Sequence, residues 1–135
     1  MVIVPDSSAW IDYLRATGSP WDVAITTLLQ ANARVVVTEV VAAEVLAGAR
    51  SSENLEALRR QLFAFPVLRL EGLAGFEAAA AISRACRAGG ETVRSLLDCL
   101  IAVPVIRIGG SILHKDRDFE VIARYTPLRV YPVIP

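Results

Sequence analysis

The sequence predicts an α/β domain in which helices cover both faces of a central parallel sheet of about five strands. Short runs rich in β-branched residues alternate along the chain with longer helix-compatible stretches, which is the order expected of βαβ units. The strand-like runs are apolar throughout, as in strands that are buried on both faces. With 135 residues, 54% of them apolar, the chain can bury one large core. We therefore expect a single three-layer domain spanning residues 1–135.

The strands are predicted where a short β-branched run stands between turn residues or helix signals. The first run stops at a carboxylate, and the last follows Pro127. The predicted strands are residues 2–5, 34–38, 66–70, 111–114 and 128–131.

The helices are predicted where apolar residues recur at helical spacing between breakers. The turn 18–20 ends the first helix, Gly89 and Gly90 end the fifth, and Pro104 is expected to stop the sixth. The predicted helices are residues 10–15, 21–32, 39–50, 53–65, 73–88 and 92–103, with a last helix ending near residue 124.

The composition limits the class of protein. Lys and Arg balance Asp and Glu at 14 each, so any site for a polyanion must come from a local patch of charge. No apolar stretch reaches the roughly 18 residues of a membrane span, and the N-terminus lacks the pattern of a signal peptide. We expect a cytoplasmic protein with no membrane partner. Cys86 and Cys99 have neither metal-site nor disulfide spacing, which predicts buried free thiols.

Asp6 is the first candidate for a functional residue. It follows the first predicted strand, and Ser7 or Ser8 can cap the helix after it with a side-chain oxygen. Open α/β sheets place their sites at such strand ends, beside a helix N-terminus. An equally open interpretation is that Asp6 serves only as a turn or capping residue.

Glu44 and Asp98 interrupt apolar stretches of predicted helices. The neighbours of Glu44 three and four positions away are all apolar or small, and Asp98 is followed at that spacing by Ile101 and Ala102. A buried carboxylate needs a cation, hydrogen bonds or a raised pKa. The alternative for Asp98 is a surface ion pair with Arg94 on an exposed helix edge.

Asp116 and Asp118 follow the fourth predicted strand as Asp6 follows the first. Taken singly, they can be residues of a tight turn, and Asp116 can also cap the last helix. His114 is the only histidine and is expected to be structural rather than catalytic.

The four carboxylates Asp6, Glu44, Asp98 and Asp116 can meet at one edge of the predicted sheet. Four such groups cannot all remain ionised without a cation, and an all-oxygen cluster suits Mg²⁺ or Mn²⁺. No zinc spacing, phosphate-binding loop, dinucleotide fingerprint or nucleophile elbow is present. The pattern therefore favours metal-assisted hydrolysis. A phosphorelay receiver is disfavoured because it needs an acidic pair after the first strand and a lysine after the last.

Four stretches resemble the motifs of PIN-domain proteins, and specifically of VapC-type toxins from bacterial toxin–antitoxin pairs. They occur in the order and at separations similar to those of the family, and together they span nearly the whole chain. They are VIVPDSSAWIDYL, TEVVAAEVLAGAR, TVRSLLDCLIA and ILHKDRDFEVIARYTPLRV.

The resemblance implies an endoribonuclease that uses Mg²⁺ or Mn²⁺ in a three-layer PIN-like fold. The implied metal-site and catalytic residues are Asp6, Glu44, Asp98 and Asp116, with Ser7, Ser8 and Asp118 beside them. Ser7 stands where the family often has Thr, so the hydroxyl is kept. Residues 103–109 depart from the family's alanine-rich helix, which leaves the length of that helix open.

The resemblance also implies partners: an RNA substrate, a cognate antitoxin and a second copy of the chain in a homodimer. Cations near the acidic positions in the sequence are candidates for binding the RNA backbone. They are Arg94, Arg117, Lys115 and Arg50. The helical segments 10–14 and 53–65 are candidates for contact with a partner helix, although they can equally be core helices. The alternative function is a catalytically silent PIN-like module that binds RNA or protein.

Overall fold

A computed structural model describes residues 1–134. In chain order its elements are β1 Val2–Pro5, α1 Ser7–Leu14, α2 Pro20–Gln30, β2 Arg34–Val35, β3 Val37–Thr38, α3 Glu39–Ala47, α4 Ser52–Leu62, β4 Val67–Leu68, α5 Gly72–Ala88, α6 Leu96–Ile108, β5 Ser111–Leu113, α7 Asp118–Tyr125 and β6 Arg129–Val130. Helices cover a central parallel sheet, so the predicted α/β class is confirmed.

The central sheet has four strands in the order β2-β1-β5-β6, and every pair is parallel. In the pairing of β1 with β5, Val4 lies opposite Ile112. The ladder continues past the strand end, where the Asp6 N–H donates to the Leu113 carbonyl at 2.9 Å. The carboxyl ends of β1 and β5 therefore lie side by side, and the residues that follow them share one edge of the sheet.

The predicted strand 34–38 is divided between two sheets. Its first half, β2, pairs with β1, whereas β3 pairs with β4 in a separate two-stranded parallel sheet. The change occurs at Val36, whose N–H donates to the Ile3 carbonyl, while the next N–H, of Val37, donates to Pro66. Of the five predicted strands, the third thus lies outside the central sheet.

The predicted bounds of α6 were wrong at both ends. The helix starts at Leu96 rather than at residue 92, and the segment before it is held by the Arg94 N–H, which donates to the Asp118 carboxylate. It also continues through Pro104 to Ile108. Pro104 removes one helical hydrogen bond, but Pro104 and Val105 are buried in the core. That burial keeps the last turn helical.

Ile3 and Val4, successive residues of β1, are both fully buried, so both faces of the sheet are covered. Trp10 and Phe119 are the largest fully buried side chains. Cys86 and Cys99 are buried free thiols, as predicted. Within residues 1–134, no helix combines the length and apolar character that a membrane crossing requires.

Candidate active site

Asp6 occupies the end of β1 and is only 3% exposed. One carboxylate oxygen, Oδ1, accepts from the Ala9 N–H at 2.8 Å and so caps α1. The other, Oδ2, accepts from the Lys115 N–H at 3.3 Å. Burial raises the pKa of Asp6, although these two hydrogen bonds oppose the rise. The prediction that Ser7 or Ser8 caps the helix was wrong, because the carboxylate before them already accepts the free N–H.

Ser7 joins α1 to α3, since its hydroxyl donates to Oε1 of Glu44. Glu44 is half-buried on α3, which is consistent with the apolar residues three and four positions away from it. Ser8 is exposed, and among the described residues its side chain makes no hydrogen bond to the acidic residues. The structure therefore places one of the two predicted serines at the site.

Asp98, Asp116 and Asp118 form the centre of the site. One oxygen from each lies within 4.8 Å of the others. Asp98 stands in the first turn of α6 and is 8% exposed, and Asp118 begins α7 and is 3% exposed. Asp118 was predicted only as a neighbour of the site, but its carboxylate is a member of this cluster. The Asp118 N–H also donates to Oδ1 of Asp116 at 2.9 Å.

The electrostatics of Asp98 show how crowded this acidic centre is. Burial, chiefly, raises the pKa of Asp98 to about 8, and a hydrogen bond with Asp116 contributes next. The negative charges of Asp116, Asp118 and Glu44 raise the pKa further. Without a cation, Asp98 therefore retains a proton at neutral pH. The alternative for Asp98, a surface ion pair with Arg94, does not form, because Arg94 pairs with Asp118.

The acidic centre has the donor set of a site for a hard divalent cation. Oδ2 of Asp98 is buried and has no hydrogen-bond partner among the described residues. Such an atom is costly to bury unless something binds it. Its neighbours are carboxylate oxygens, which Mg²⁺ and Mn²⁺ prefer. The residues present therefore fit the metal that the sequence predicts.

Two of the four predicted RNA-binding cations flank the acidic centre. Arg94 and Arg117 line a polar cleft of about 210 Å³ together with Asp118. The Arg94 side chain is 72% exposed, and its Nε lies 4.0 Å from Oδ1 of Asp118. Both guanidinium groups are therefore accessible to a ligand beside the carboxylates.

The other two cations are engaged elsewhere. The Lys115 ammonium donates to Oδ2 of Asp12 at 3.0 Å and lies 4.8 Å from the centre of the Trp21 ring. Arg50 lines a separate groove of about 440 Å³ between α1, α3 and α4. The structure thus engages the Lys115 side chain with Asp12 and Trp21 and places Arg50 in that groove.

Two residues near the site were missed at the sequence level. Asp12 binds Lys115, and the Trp21 indole N–H donates to the His114 carbonyl at 2.8 Å. The sequence offered one weak signal, an aspartate within the apolar stretch of α1. His114 itself stacks near Phe119 with the ring centres 5.5 Å apart, which agrees with the structural role expected for it.

Residues 3–125 match the PIN domain family. The chain belongs to the PIN-domain family. Ribonuclease VapC11 of Mycobacterium tuberculosis is 46% identical over 129 residues, which are 95% of this chain and 96% of the relative. The predicted resemblance to VapC-type PIN-domain proteins is therefore confirmed.

Solved structures support the PIN fold at much lower identity. The chain is similar to a chain of VapBC2 from Rickettsia felis bound to a DNA fragment from its promoter, with a TM-score of 0.76 and 15% identity. That match covers 97% of this chain and 98% of the other chain. A chain of DNA-bound VapBC from Salmonella typhimurium matches with a TM-score of 0.74 and 16% identity, covering 97% of each.

Proposed function

We propose that this PIN domain is a Mg²⁺-dependent endoribonuclease, with Mn²⁺ able to replace Mg²⁺, and that it is the toxin of a VapBC-type pair. The observation that carries the proposal is the buried, unpartnered Oδ2 of Asp98 among the oxygens of Asp116 and Asp118. The relative named a ribonuclease, 46% identical over nearly the full length of both chains, supports the choice of RNA. A silent binding module would gain nothing from a buried acidic centre beside its phosphate-binding cations.

The metal-holding residues in this proposal are the predicted Asp6, Glu44, Asp98 and Asp116, with Asp118 within reach of the last two. The chemistry that Mg²⁺ supplies when bound is a lowered pKa of a coordinated water and neutralisation of charge on the scissile phosphate. Asp98 must release its proton to serve as a ligand, since its pKa is raised to about 8.

The neighbouring residues orient the carboxylates and the substrate. The Ser7 hydroxyl directs Oε1 of Glu44, and the Ala9 and Lys115 N–H groups hold both oxygens of Asp6. Asp118 anchors the loop 92–95 through the Arg94 N–H at 3.0 Å. This loop carries the Arg94 guanidinium, which with Arg117 would bind backbone phosphates next to the bond that is cut.

Cleavage of a structured RNA by the purified protein tests the ribonuclease proposal. The parent should cut in Mg²⁺ or Mn²⁺ and stop cutting in EDTA. Asp98→Asn and Asp6→Asn should lose about 100-fold or more in rate while remaining folded, which also excludes a contaminating nuclease. Equal cleavage by parent and variants would refute the proposed site. A parent that binds RNA without cutting it would support the silent module.

The antitoxin is proposed to bind in the groove between α1, α3 and α4. Ile11, Leu14, Val45 and Leu58 supply its apolar lining, and Arg15 and Arg50 add positive charge; the groove holds about 440 Å³. A groove with this volume, apolar lining and positive charge suits the apolar face of one amphipathic helix that carries acidic residues beside that face. The solved neighbours that contain a VapBC complex support an antitoxin as the occupant.

Growth of cells that express the chain tests the antitoxin proposal. Expression alone should arrest growth, and co-expression of the small reading frame beside the gene should relieve the arrest. Ala57→Arg, which fills the groove, should abolish the relief but not the arrest, while Arg60→Ala on the same helix should change neither. Full relief in the Ala57→Arg strain would place the antitoxin elsewhere.

We also propose that the chain forms a homodimer and acts in the cytoplasm. Leu73 and Phe76 on α5 are 75% and 53% exposed, so they are candidates for a face that a second copy covers. Sedimentation of the parent and of a Phe76→Glu variant checks this, with the variant expected to be monomeric. The two free thiols agree with a reducing compartment, where messenger RNA is also found.

A further inference from the structure

The peptide bond between His114 and Lys115 lies between two hydrogen bonds. On one side its carbonyl accepts from the Trp21 indole N–H at 2.8 Å. On the other side its N–H donates to Oδ2 of Asp6 at 3.3 Å. No cis peptide occurs in residues 1–134, so the carbonyl and N–H of this planar unit point in opposite directions. A donor at the carbonyl therefore fixes the direction of the N–H.

We propose that Trp21 is a positioning residue of the acidic site, because its indole N–H orients the His114–Lys115 peptide so that the peptide N–H faces Asp6. This inference rests on the proposed function. If the His114–Lys115 peptide flipped, the His114 carbonyl oxygen would face the Asp6 carboxylate and repel it. The hydrogen bond to the carbonyl also polarises the N–H and strengthens its bond to Asp6.

The peptide lies in the loop 114–117, between β5 and α7, and further contacts hold this loop from both sides. From α1, Asp12 accepts from the Lys115 ammonium at 3.0 Å, and Ser19 Oγ donates to the same Asp12 oxygen at 2.6 Å. From α7, Oε1 of Glu120 lies 3.1 Å from Nε2 of His114. These contacts place the chain on either side of the peptide. Trp21 is the group that sets the rotation of the plane itself.

The orientation matters because Asp116 follows Lys115 directly. A loop that turned at the 114–115 peptide would move Asp116 away from Asp98 and Asp118, with which it shares the acidic centre. Trp21 thus acts on two carboxylates, on Asp6 through the Lys115 N–H and on Asp116 through the course of the chain.

Trp21→Phe, compared with Trp10→Phe, tests the inference in the full-length protein. Both changes delete an indole N–H, but that of Trp10 is buried with no partner among the described residues. In the metal-free protein, the Lys115 amide should exchange roughly fivefold faster in Trp21→Phe, measured relative to the Asp6 amide. The ratio should be unchanged in Trp10→Phe. An unchanged ratio in both variants would overturn the inference.

Mn²⁺ binding by calorimetry provides a second readout. Trp21→Phe should raise the dissociation constant for Mn²⁺ roughly fivefold. Trp10→Phe should lower thermal stability but leave the Mn²⁺ affinity unchanged. Equal affinity in Trp21→Phe and the parent would contradict the positioning role. If the parent itself binds no Mn²⁺, the proposed metal-dependent function fails, and the exchange ratio still decides the role of Trp21.

The reverse experiment keeps the inference testable if Trp21→Phe does not fold. Because the two hydrogen bonds share one rigid peptide, Asp6→Ala should speed exchange of the Trp21 indole hydrogen severalfold. No change in that rate would show that the two bonds are independent, which overturns the inference.

Discussion

Replacing Asp98 with Asn should stabilise the metal-free protein at neutral pH, although the substitution removes a proposed ligand. Burial first, and then Asp116, raises the pKa of Asp98 from 3.8 to about 8 in the folded state. At pH 7 the folded protein therefore holds a proton that the unfolded chain has already released. Stability falls as the pH rises under these conditions, because the unfolded state binds fewer protons. An Asn side chain does not titrate, so the free energy of unfolding of the Asp98→Asn protein does not fall with pH for this reason.

The size of the effect follows from the interval between the two pKa values. Each pH unit between 3.8 and 7 costs about 1.4 kcal/mol, or about 4 kcal/mol in all. Asp98 is not fully buried, and solvent and local relaxation screen its charged form, so we take half of that value, about 2 kcal/mol. For a domain of this size, that corresponds to an increase in Tm of about 6 °C. The difference should vanish below about pH 4, grow up to about pH 8 and then remain constant.

Thermal unfolding in EDTA between about pH 4 and 9 measures this difference. Asp118→Asn is the matched control, because neutralising that carboxylate removes its ion pair with Arg94 and should lower Tm. Saturating Mn²⁺ should reverse the order of parent and Asp98→Asn, since the parent keeps the ligand. An Asp98→Asn protein that melts at or below the parent temperature at pH 7 in EDTA, with the same dependence on pH, would refute the reasoning.

Three further predictions concern other single substitutions. Ser7→Ala should lower ribonuclease activity about tenfold at unchanged Tm, and Ser8→Ala should lower neither; equal losses would show that the contact of Ser7 with the site is irrelevant. Gly89→Ala should cost about 1–3 kcal/mol in denaturant unfolding, because its Cβ would lie 2.0 Å from Cε1 of Tyr125; a neutral result would mean that the ring moves aside. Arg117→Ala should reduce the slope of log affinity for RNA against log salt by about 0.7; an unchanged slope would exclude a phosphate contact.

The positions of β1 and β5 could be predicted because each is an apolar run that ends at a carboxylate or a short polar turn. The division of the run 34–38 could not, since its four consecutive β-branched residues, 35–38, all favour a strand. Its division depends on which strand accepts each N–H, Ile3 for Val36 and Pro66 for Val37. These partners are distant in sequence, and the pattern of β-branched residues contains no information about them.

The acidic residues of the candidate site could be predicted from the sequence alone. A carboxylate within an apolar stretch, such as Asp98, is costly and therefore conspicuous. Trp21 was not conspicuous, because a tryptophan at the start of an amphipathic helix is explained by packing alone. Only the folded chain shows that its N–H reaches the His114 carbonyl. The wrong stop at Pro104 has a similar cause, since the burial that keeps the helix intact is tertiary.

The strand order β2-β1-β5-β6 has a consequence for the time at which the protein acquires its acidic centre. A ribosome that has delivered the chain through α5 has delivered Asp6 and Glu44, but neither β5 nor the cluster of Asp98, Asp116 and Asp118. β5 must then insert beside β1 across about a hundred residues of chain, and such long-range parallel pairing forms slowly. A nascent chain therefore lacks the proposed nuclease site for nearly all of its synthesis, and a fragment that ends before β5 never acquires it.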